Sequence, residues 1–480
     1  MDYKSAKNRR EKVQSRTIIL KQDGFEKPLE NYNLDSEKDS QLKVFLKRES
    51  GAEIENIEAP QHIKIMQQQE LIDYEPSSDI GHFRFYPKGT LMKNLIEDLA
   101  EDIAINKLGA IKIETPLLYR AETPDIAEQA ASFHERDYRV KLEDRELLLR
   151  FAGDFGLFSM MKDAKLTYKN LPLRVYEISN SFRFEQSGEL SGLKRLRAFT
   201  MPDIHCFCKN FESGLEEYAK LHKFYDHLLH ETELPFALAF RTVEDFWSQN
   251  KKFILDRLKE SKKDGLVEIL KDMKHYWNLK NEFQYIDNNE DNVQLSTVQL
   301  DISDSKRYGL GYVDSDNQKK PMVIVHSSMG SVERILSAIF EERAREMKRG
   351  QKPTFPYWLS PTQLRLIPVN PTFIRYCENI LSEFKGIRVD IDDRDESVGK
   401  KVRSAEKEWI PAYAVIGEIE SASNLYNLKL RGKEFSNCLG EKLTTTEINK
   451  LLLNAQGEKP YRDSYLNKKV SKKIRFGSLY

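Results

Sequence analysis

Cysteine is nearly missing from this chain. Four residues in 480, Cys206, Cys208, Cys377 and Cys438, are too few and too irregularly spaced for a disulfide framework, and Cys206-x-Cys208 is too tight for half of a zinc ribbon. Long apolar runs are missing too: no stretch approaches the ~18 consecutive apolar residues of a membrane span. The opening MDYKSAKNRREK is charged and has no apolar core of a secretory signal. Net charge is absent, since 76 Lys+Arg balance 76 Asp+Glu, so any attraction to nucleic acid has to come from local basic patches. No internal period of about 20–50 residues is visible, which sets solenoid and propeller architectures aside. These absences lead us to expect a protein of the reducing cytoplasm with no membrane association.

What is present exceeds a single hydrophobic core, and two or three domains are expected. Residues 1–75 mix charge with short apolar stretches such as Thr17 to Leu20 and Lys43 to Leu46, and read as an N-terminal extension. From Gly81 the texture changes. GHFRFYPKGT is followed by an amphipathic helix pattern, Leu91 to Leu108, stopped by Gly109, and then by the strand AIKIETP. Helices alternate with strands from Leu147 to Phe240. A charged helical insertion, Val243 to Tyr276, leads back to strands at Val298 to Leu300 and Met322 to Val325. This α+β pattern of antiparallel type fills a domain over 76–350. Past the charged KRGQKP, strand and helix alternate again through LRLIPV, Thr372 to Phe384, IRVDID, Val398 to Glu408 and AYAVIG. That indicates a compact parallel or mixed sheet in a second domain, 351–480.

One segment concentrates chemistry: RVYEISNSFRFEQSGELSGLKRLRAFTMPDIHCF. Strand alternation puts Phe182 and Phe184 on one face and Arg183 and Glu185 on the other. After a glycine-bearing loop with Lys194, Arg195 and Arg197, a returning strand places Phe199, Met201, Asp203 and His205 on a common face. Pro202 requires that strand to be bent or paired on one side only. Cations to offset phosphate, a flat apolar surface for a base and a carboxylate to read its edge are what a nucleotide site needs. For one hairpin alone, a solvated charged face explains the same residues. Further on, MVIVHSSMGSVERILSAIFEE runs from a buried strand through Gly330 into a helix with Ser331 as N-cap and Arg334 in its first turn. Val332, Ile335, Leu336, Ile339 and Phe340 recur at helical spacing and read as core.

Together, FRxE, the returning phenylalanine and GSxER resemble the second and third signature motifs of class II aminoacyl-tRNA synthetases, the first motif being the helix before Gly109 and the strand to Glu114-Thr115-Pro116. The strings DIGHFRFYPKG, GELSGLKRLRAFTMPDIH, STVQLD, PYWLSPTQLRLIPV and IRVDIDDRDESVGKKVRSAEKEWIP are similar to those of threonyl-tRNA synthetases, archaeal type. The likeness spans about residues 75 to 480. It implies an antiparallel class II sheet flanked by helices plus a C-terminal α/β anticodon-binding domain. The implied activity is ATP-dependent activation of threonine and its transfer to tRNA(Thr).

The resemblance also implies roles. Arg183 would hold the α-phosphate and the incoming carboxylate, Glu185 would read the adenine amino group, and Phe199 would stack on the ring. Arg195 and Arg334 would grip the outer phosphates of ATP with Mg2+, and Gln299 would lie between substrate and ATP. Asp203, with Met201 and His205, would face the amino acid. The family holds a zinc ion with Cys, His and His. Here Asp154 stands at the cysteine position and His205 at the first histidine. The second falls on Val325 counted back from Gly330, or on His326 counted forward from Gln299. Asp154, His205 and His326 make a three-ligand set with an open position. In the C-terminal domain Asp395 and Glu420 fall where anticodon bases are read, while Lys400, Lys401 and Arg403 suit phosphate contact, and the basic NKKVSKKIRF suits RNA. A homodimer is implied. So is an editing protein acting in trans, because the N-terminal 75 residues are too few for the family's editing domain. The rival reading is a non-catalytic tRNA-binding partner subunit with a decayed metal site.

Overall fold

The computed structural model describes residues 14–51, 59–132, 136–273, 275–436 and 442–477; the opening basic segment and Cys438 lie outside them. The chain divides into two compact units, one of residues 1–58, 104–185 and 199–335, the other of residues 59–103, 186–198 and 336–480. The units therefore do not follow boundaries near 75 and 350. Residues 14–51 belong with the large sheet, and residues 59–103 belong with the C-terminal region.

The first unit is built on a ten-stranded sheet. Its neighbours run Glu26–Pro28, Ser15–Leu20, Gly265–Leu270, Ala237–Val243, Leu279–Ile286, Asn292–Asp301, Val323–Ser328, Ala198–Cys208, Leu173–Phe182 and Ile111–Lys112. Most registered pairs are antiparallel. The exceptions are Ala237–Val243 with Gly265–Leu270, and Ile111–Lys112 with Leu173–Phe182. The N-terminal segment is part of this sheet: Ser15–Leu20 pairs along its length with Gly265–Leu270. Behind it, helix Ser40–Glu49 starts at Asp39, whose carboxylate accepts Gln41 N and Leu42 N. Leu42, Phe45 and Leu46, spaced for one helical face, pack with Ala237, Ala239 and Leu266. The stretch read as a helical insertion also holds a strand: helix Glu244–Ser261 ends at Lys262 in the left-handed conformation, and Gly265–Leu270 then enters the sheet.

Strand Leu173–Phe182 stops before the FRFE run is finished. Phe182 N still bonds Arg150 O and Phe184 N reaches Arg136 O, but Glu185 N turns back onto Arg183 O at 2.7 Å. This tight bend ends the alternation, so Phe184 is exposed and Glu185 is buried. At Pro202 the returning strand behaves as proline requires. Registered pairing with Val323–Ser328 begins at Asp203, and Ser328 Oγ donates to Pro202 O at 3.0 Å.

The second unit carries a five-stranded sheet ordered Val389–Ile391, Leu364–Pro368, Ala412–Ile416, Tyr426–Leu430 and Lys442–Leu443. The first three are parallel and the rest antiparallel. Cys377, Ile380, Phe384, Ile448 and Leu452 cover it with Leu364, Leu366, Ala412 and Ala414. Helix Pro87–Asp102 in this unit buries Leu91, Met92, Leu95, Ile96 and Leu99. Its start lies so close to the preceding turn that a Cβ on Gly89 would stand 2.0 Å from Leu71 O. The C-terminal basic run is engaged within this unit: Lys469 pairs with Glu378, Lys473 with Asp390, and Arg475 with Glu70. Phe476 stacks on Tyr86, ring centroids 4.5 Å apart.

Candidate active site

Register across three adjacent strands assembles the site. His205 is paired with His326, and His326 in turn with Gln299. Directly opposed residues share a face of a sheet, so the imidazole, imidazole and carboxamide form a row. Alternation then carries the same face through Asp203, Met201 and Phe199, all partly exposed while their neighbours Thr200, Pro202 and Ile204 are buried. Of Val325 and His326, it is His326 that lies on this face. His326 faces His205, with ring centroids 5.0 Å apart, whereas Val325 points to the opposite, fully buried side.

Helix Asp154–Lys162 brings the third donor. Two glycines permit its close approach: a Cβ on Gly153 would lie 3.2 Å from Asp203 Oδ2, and one on Gly156 would lie 2.3 Å from Thr115 Cβ. Asp154 Oδ1 sits 2.8 Å from His205 Nε2 and 4.0 Å from His326 Nδ1. Donor atoms of Asp154, His205 and His326 all lie within 4.8 Å of one another. Burial would raise the Asp154 pKa, but the His205 hydrogen bond and both imidazoles hold it down at about 2. Burial would lower that of His326, and the Asp301 and Asp154 carboxylates raise it instead. Asp203, whose Oδ2 accepts Ser179 Oγ at 2.8 Å, is pushed up to about 6 by burial. A tetrahedral zinc ion with bonds of about 2.0–2.2 Å holds its donors roughly 3.3 Å apart, and a carboxylate and two imidazoles at these separations fit it. The buried His326 Nδ1, which has no hydrogen-bond partner, is the atom such an ion would satisfy.

Beyond this cluster, the Arg183 guanidinium lies 5.1 Å from the centre of the Phe199 ring, and its Nε donates to Phe151 O at 3.1 Å. Glu185 Oε2 is 3.4 Å from Arg136 Nη1. Ser331 caps its helix as expected, accepting Arg334 N at 3.2 Å, and Arg334 Nη1 reaches Gln294 O at 3.2 Å. Glu333 in the same turn accepts Thr200 N at 3.0 Å, tying that helix start to the strand residue beside Phe199. Arg183, Glu185, Phe199, Gln299 and Arg334 thus belong to the unit that holds the three-donor cluster. Arg195 belongs to the other unit, where it pairs with Glu189 at 3.1 Å.

Several contributors had escaped the sequence reading. Tyr276 donates to Gln299 Oε1 at 2.6 Å and lies 5.1 Å from the His326 ring. Asp301, fully buried, faces His326 Nε2 at 3.3 Å. A buried ion pair joins Arg150 and Glu177 at 2.8 Å, with Thr115 hydrogen-bonded to both. Only Asp301 had a signal, its place two residues after Gln299 in STVQLD. The others depend on pairings between distant segments.

The C-terminal candidates divide. Asp395, Lys400 and Arg403 are exposed. Glu420 spends Oε2 on Gly417 N, at 3.0 Å, at the start of its own helix. Lys401 does not suit phosphate: it is buried and donates to Pro368 O at 3.0 Å.

Known proteins resemble this chain along most of its length. Residues 138–343 match the tRNA synthetase class II core domain (G, H, P, S and T), and residues 363–452 match the anticodon binding domain. The threonine–tRNA ligase of Methanosphaera stadtmanae is 38% identical over 467 residues, covering 96% of this chain and 74% of that protein. That of Thermococcus sibiricus is 44% identical over 397 residues, covering 81% of this chain. The chain spans only 63% of the latter's length. A solved structure, the RNA binding domain of threonyl-tRNA synthetase from Cryptosporidium parvum, shares the fold with a TM-score of 0.72 at 23% identity, over 82% of this chain and 98% of that one.

Proposed function

This chain belongs to the class II threonine–tRNA ligase family, and from that premise we propose that it activates L-threonine with ATP and passes the threonyl group to tRNA(Thr). The observation that carries the reading is the shared sheet face. On it, an arginine beside an aromatic ring, Arg183 with Phe199, continues into the row Asp203, His205, His326 and Gln299.

In this reading ATP arrives with Mg2+ as its counter-ion and lays adenine against Phe199, with Glu185 at its amino group. Arg183 binds the α-phosphate and the threonine carboxylate together. Arg334, in the first turn of its helix, adds positive charge for the outer phosphates where backbone N–H groups already favour anions. The carboxylate is ionised at neutral pH and attacks the α-phosphorus without a general base, so the arginines' task is to neutralise charge that grows on phosphate oxygens. Asp203 faces the substrate ammonium, and Tyr276 holds Gln299 in place. Asp154, His205 and His326 would hold zinc, which when bound supplies a Lewis acid for the threonine amino and hydroxyl groups. Asp395, Lys400 and Arg403 are proposed to meet the anticodon stem-loop, with Glu420 contributing through its second oxygen.

A pocket that binds the hydroxyl rejects valine strongly. Serine keeps that hydroxyl and lacks one methyl, worth only ~1–3 kcal/mol, so a separate hydrolytic site has to remove seryl-tRNA(Thr), in cis or in trans. Incubating seryl-tRNA(Thr) with this chain alone distinguishes the two.

The main test is amino-acid-dependent ATP–pyrophosphate exchange with threonine, serine and valine, before and after chelation. Exchange is expected with threonine, less with serine and least with valine, and chelation is expected to abolish it. No exchange with any amino acid overturns the reading. It would favour a non-catalytic tRNA-binding subunit, for which the direct Asp154–His205 pairing is the supporting observation.

A further inference from the structure

The two imidazoles of the cluster are held in different ways. His205 turns Nε2 straight to Asp154 Oδ1. His326 turns Nε2 away, to Asp301 Oδ2 at 3.3 Å, and its Nδ1 is left toward Asp154 as a buried nitrogen without a hydrogen bond. Asp301 is itself tightly oriented. Its Oδ1 accepts Ser303 N at 2.7 Å, Ser303 Oγ at 3.0 Å and Asp304 N at 3.0 Å. Three donors fix one oxygen, so the other is presented to His326. An acid as deeply buried as Asp301 is costly unless its lone pairs are used, and these four contacts use them.

A neutral imidazole carries one N–H and one lone pair, and the partner of the N–H decides which nitrogen is free to bind a metal. We propose that Asp301 is a positioning residue for metal binding. It accepts the Nε2–H of His326, fixes that tautomer and ring angle, and aims the Nδ1 lone pair into the gap shared with Asp154 and His205. The inference rests on the metal reading of that cluster. It adds a second carboxylate to a site whose first has taken the place of a thiolate, and so predicts a site of oxygen and nitrogen donors whose affinity depends on a residue that never touches the ion.

The test uses the full chain stripped of metal and titrated with Co2+, read by its visible absorption, with Zn2+ measured by competition. Asp301→Ala is expected to weaken both ions about 10–100-fold, the range found when an outer-sphere partner of a ligating histidine is lost. Asp301→Asn keeps the shape, but the N–H groups of Ser303 and Asp304 claim its one oxygen and turn its NH2 toward Nε2, which favours the opposite tautomer, so it is expected to weaken both ions as the alanine variant does. Ser303→Ala removes one hydrogen bond of the same turn without touching His326, and is expected to leave affinity and spectrum unchanged. Unfolding in chelator is followed alongside. A loss of affinity in Asp301→Asn with unaltered unfolding supports positioning, and this variant decides the matter if Asp301→Ala does not fold. Wild-type affinity and spectrum in both Asp301 variants, or an equal loss in Ser303→Ala, overturns the inference alone. A wild-type chain that binds neither ion overturns the metal reading and this inference with it.

Discussion

Around Asp154 the first unit leaves a buried nitrogen, His326 Nδ1, without a hydrogen bond, whereas around Arg365 the second unit turns its buried charges onto one another. Arg365 meets Asp390 through Nε at 2.8 Å and Nη2 at 2.9 Å, and reaches Glu408 through Nη2 at 3.0 Å. Lys473 also pairs with Asp390. Both regions place charges where desolvation is expensive. In one a buried imidazole nitrogen keeps the lone valence that the proposed metal would use. In the other the guanidinium and the two carboxylates are spent on one another. The difference separates a site from a staple, and it predicts that mutations in the two regions fail in opposite ways.

The largest expected effect belongs to the first of these regions. Arg183→Ala removes a guanidinium that the proposed mechanism sets against developing phosphate charge, so threonine-dependent exchange should fall by about 10³-fold or more. Its stability should drop by about 2–3 kcal/mol, the scale of a charged hydrogen bond to Phe151 O with a cation–π contact, and by less than that of the Arg365 variant. Arg365→Ala should do the reverse. Removing one partner of a buried pair strands the other, which costs roughly 3–5 kcal/mol in denaturant unfolding, while exchange per folded molecule should persist. If Arg183→Ala unfolds the chain and Arg365→Ala spares it, the contrast is wrong.

Acid sharpens the same contrast. Burial would raise the Glu408 pKa, but the Arg365 guanidinium outweighs it and holds the carboxyl at about 2, and Asp390 is likewise depressed. A carboxyl depressed in the folded state stabilises it above the unfolded pKa, near 4.5, and loses that contribution as pH falls through the folded value. Stability should therefore decline from about pH 4.5 down to about pH 2, with Glu408 contributing on the order of 2–3 kcal/mol. Glu408→Gln should flatten that part of the profile in thermal unfolding. An unchanged acid limb would show that the closed network does not stabilise through charge.

The two regions were unequally legible in the sequence. The face bearing Phe199, Met201, Asp203 and His205 follows from strand alternation, which depends only on near neighbours along the chain. Alternation failed past Phe182, where the strand ends and Glu185 N then folds back onto Arg183 O. No period reveals such a bend. Counting could not choose between Val325 and His326, because the two counts disagree by one residue, and it is strand register that sets His326 opposite His205. Residues 14–51 read as an appendage because their strand completes a pairing with Gly265–Leu270, far along the chain. Lys401 looked like one more exposed lysine on a charged helix, although its neighbours Val402 and Ala405 already marked the buried side of that helix. Arg365 gave no warning either, since an arginine in a strand of LRLIPV is buried only if two distant carboxylates meet it.

The smallest expected effect tests whether exposure separates strong pairs from weak ones within the second unit. Arg475 pairs with Glu70 at 2.7 Å but is 61% exposed, and exposed pairs are worth ~0–1 kcal/mol and are screened by salt. Arg475→Ala should therefore cost less than ~1 kcal/mol, and less still at high ionic strength. Phe476→Ala, which removes the stack on Tyr86, should cost about 0.5–1.5 kcal/mol beyond its lost apolar area, independent of salt. Denaturant midpoints of the two variants, at low and high salt, check both expectations. If Arg475→Ala cost as much as Arg365→Ala, burial would not be what distinguishes the closed network from the surface pairs around it.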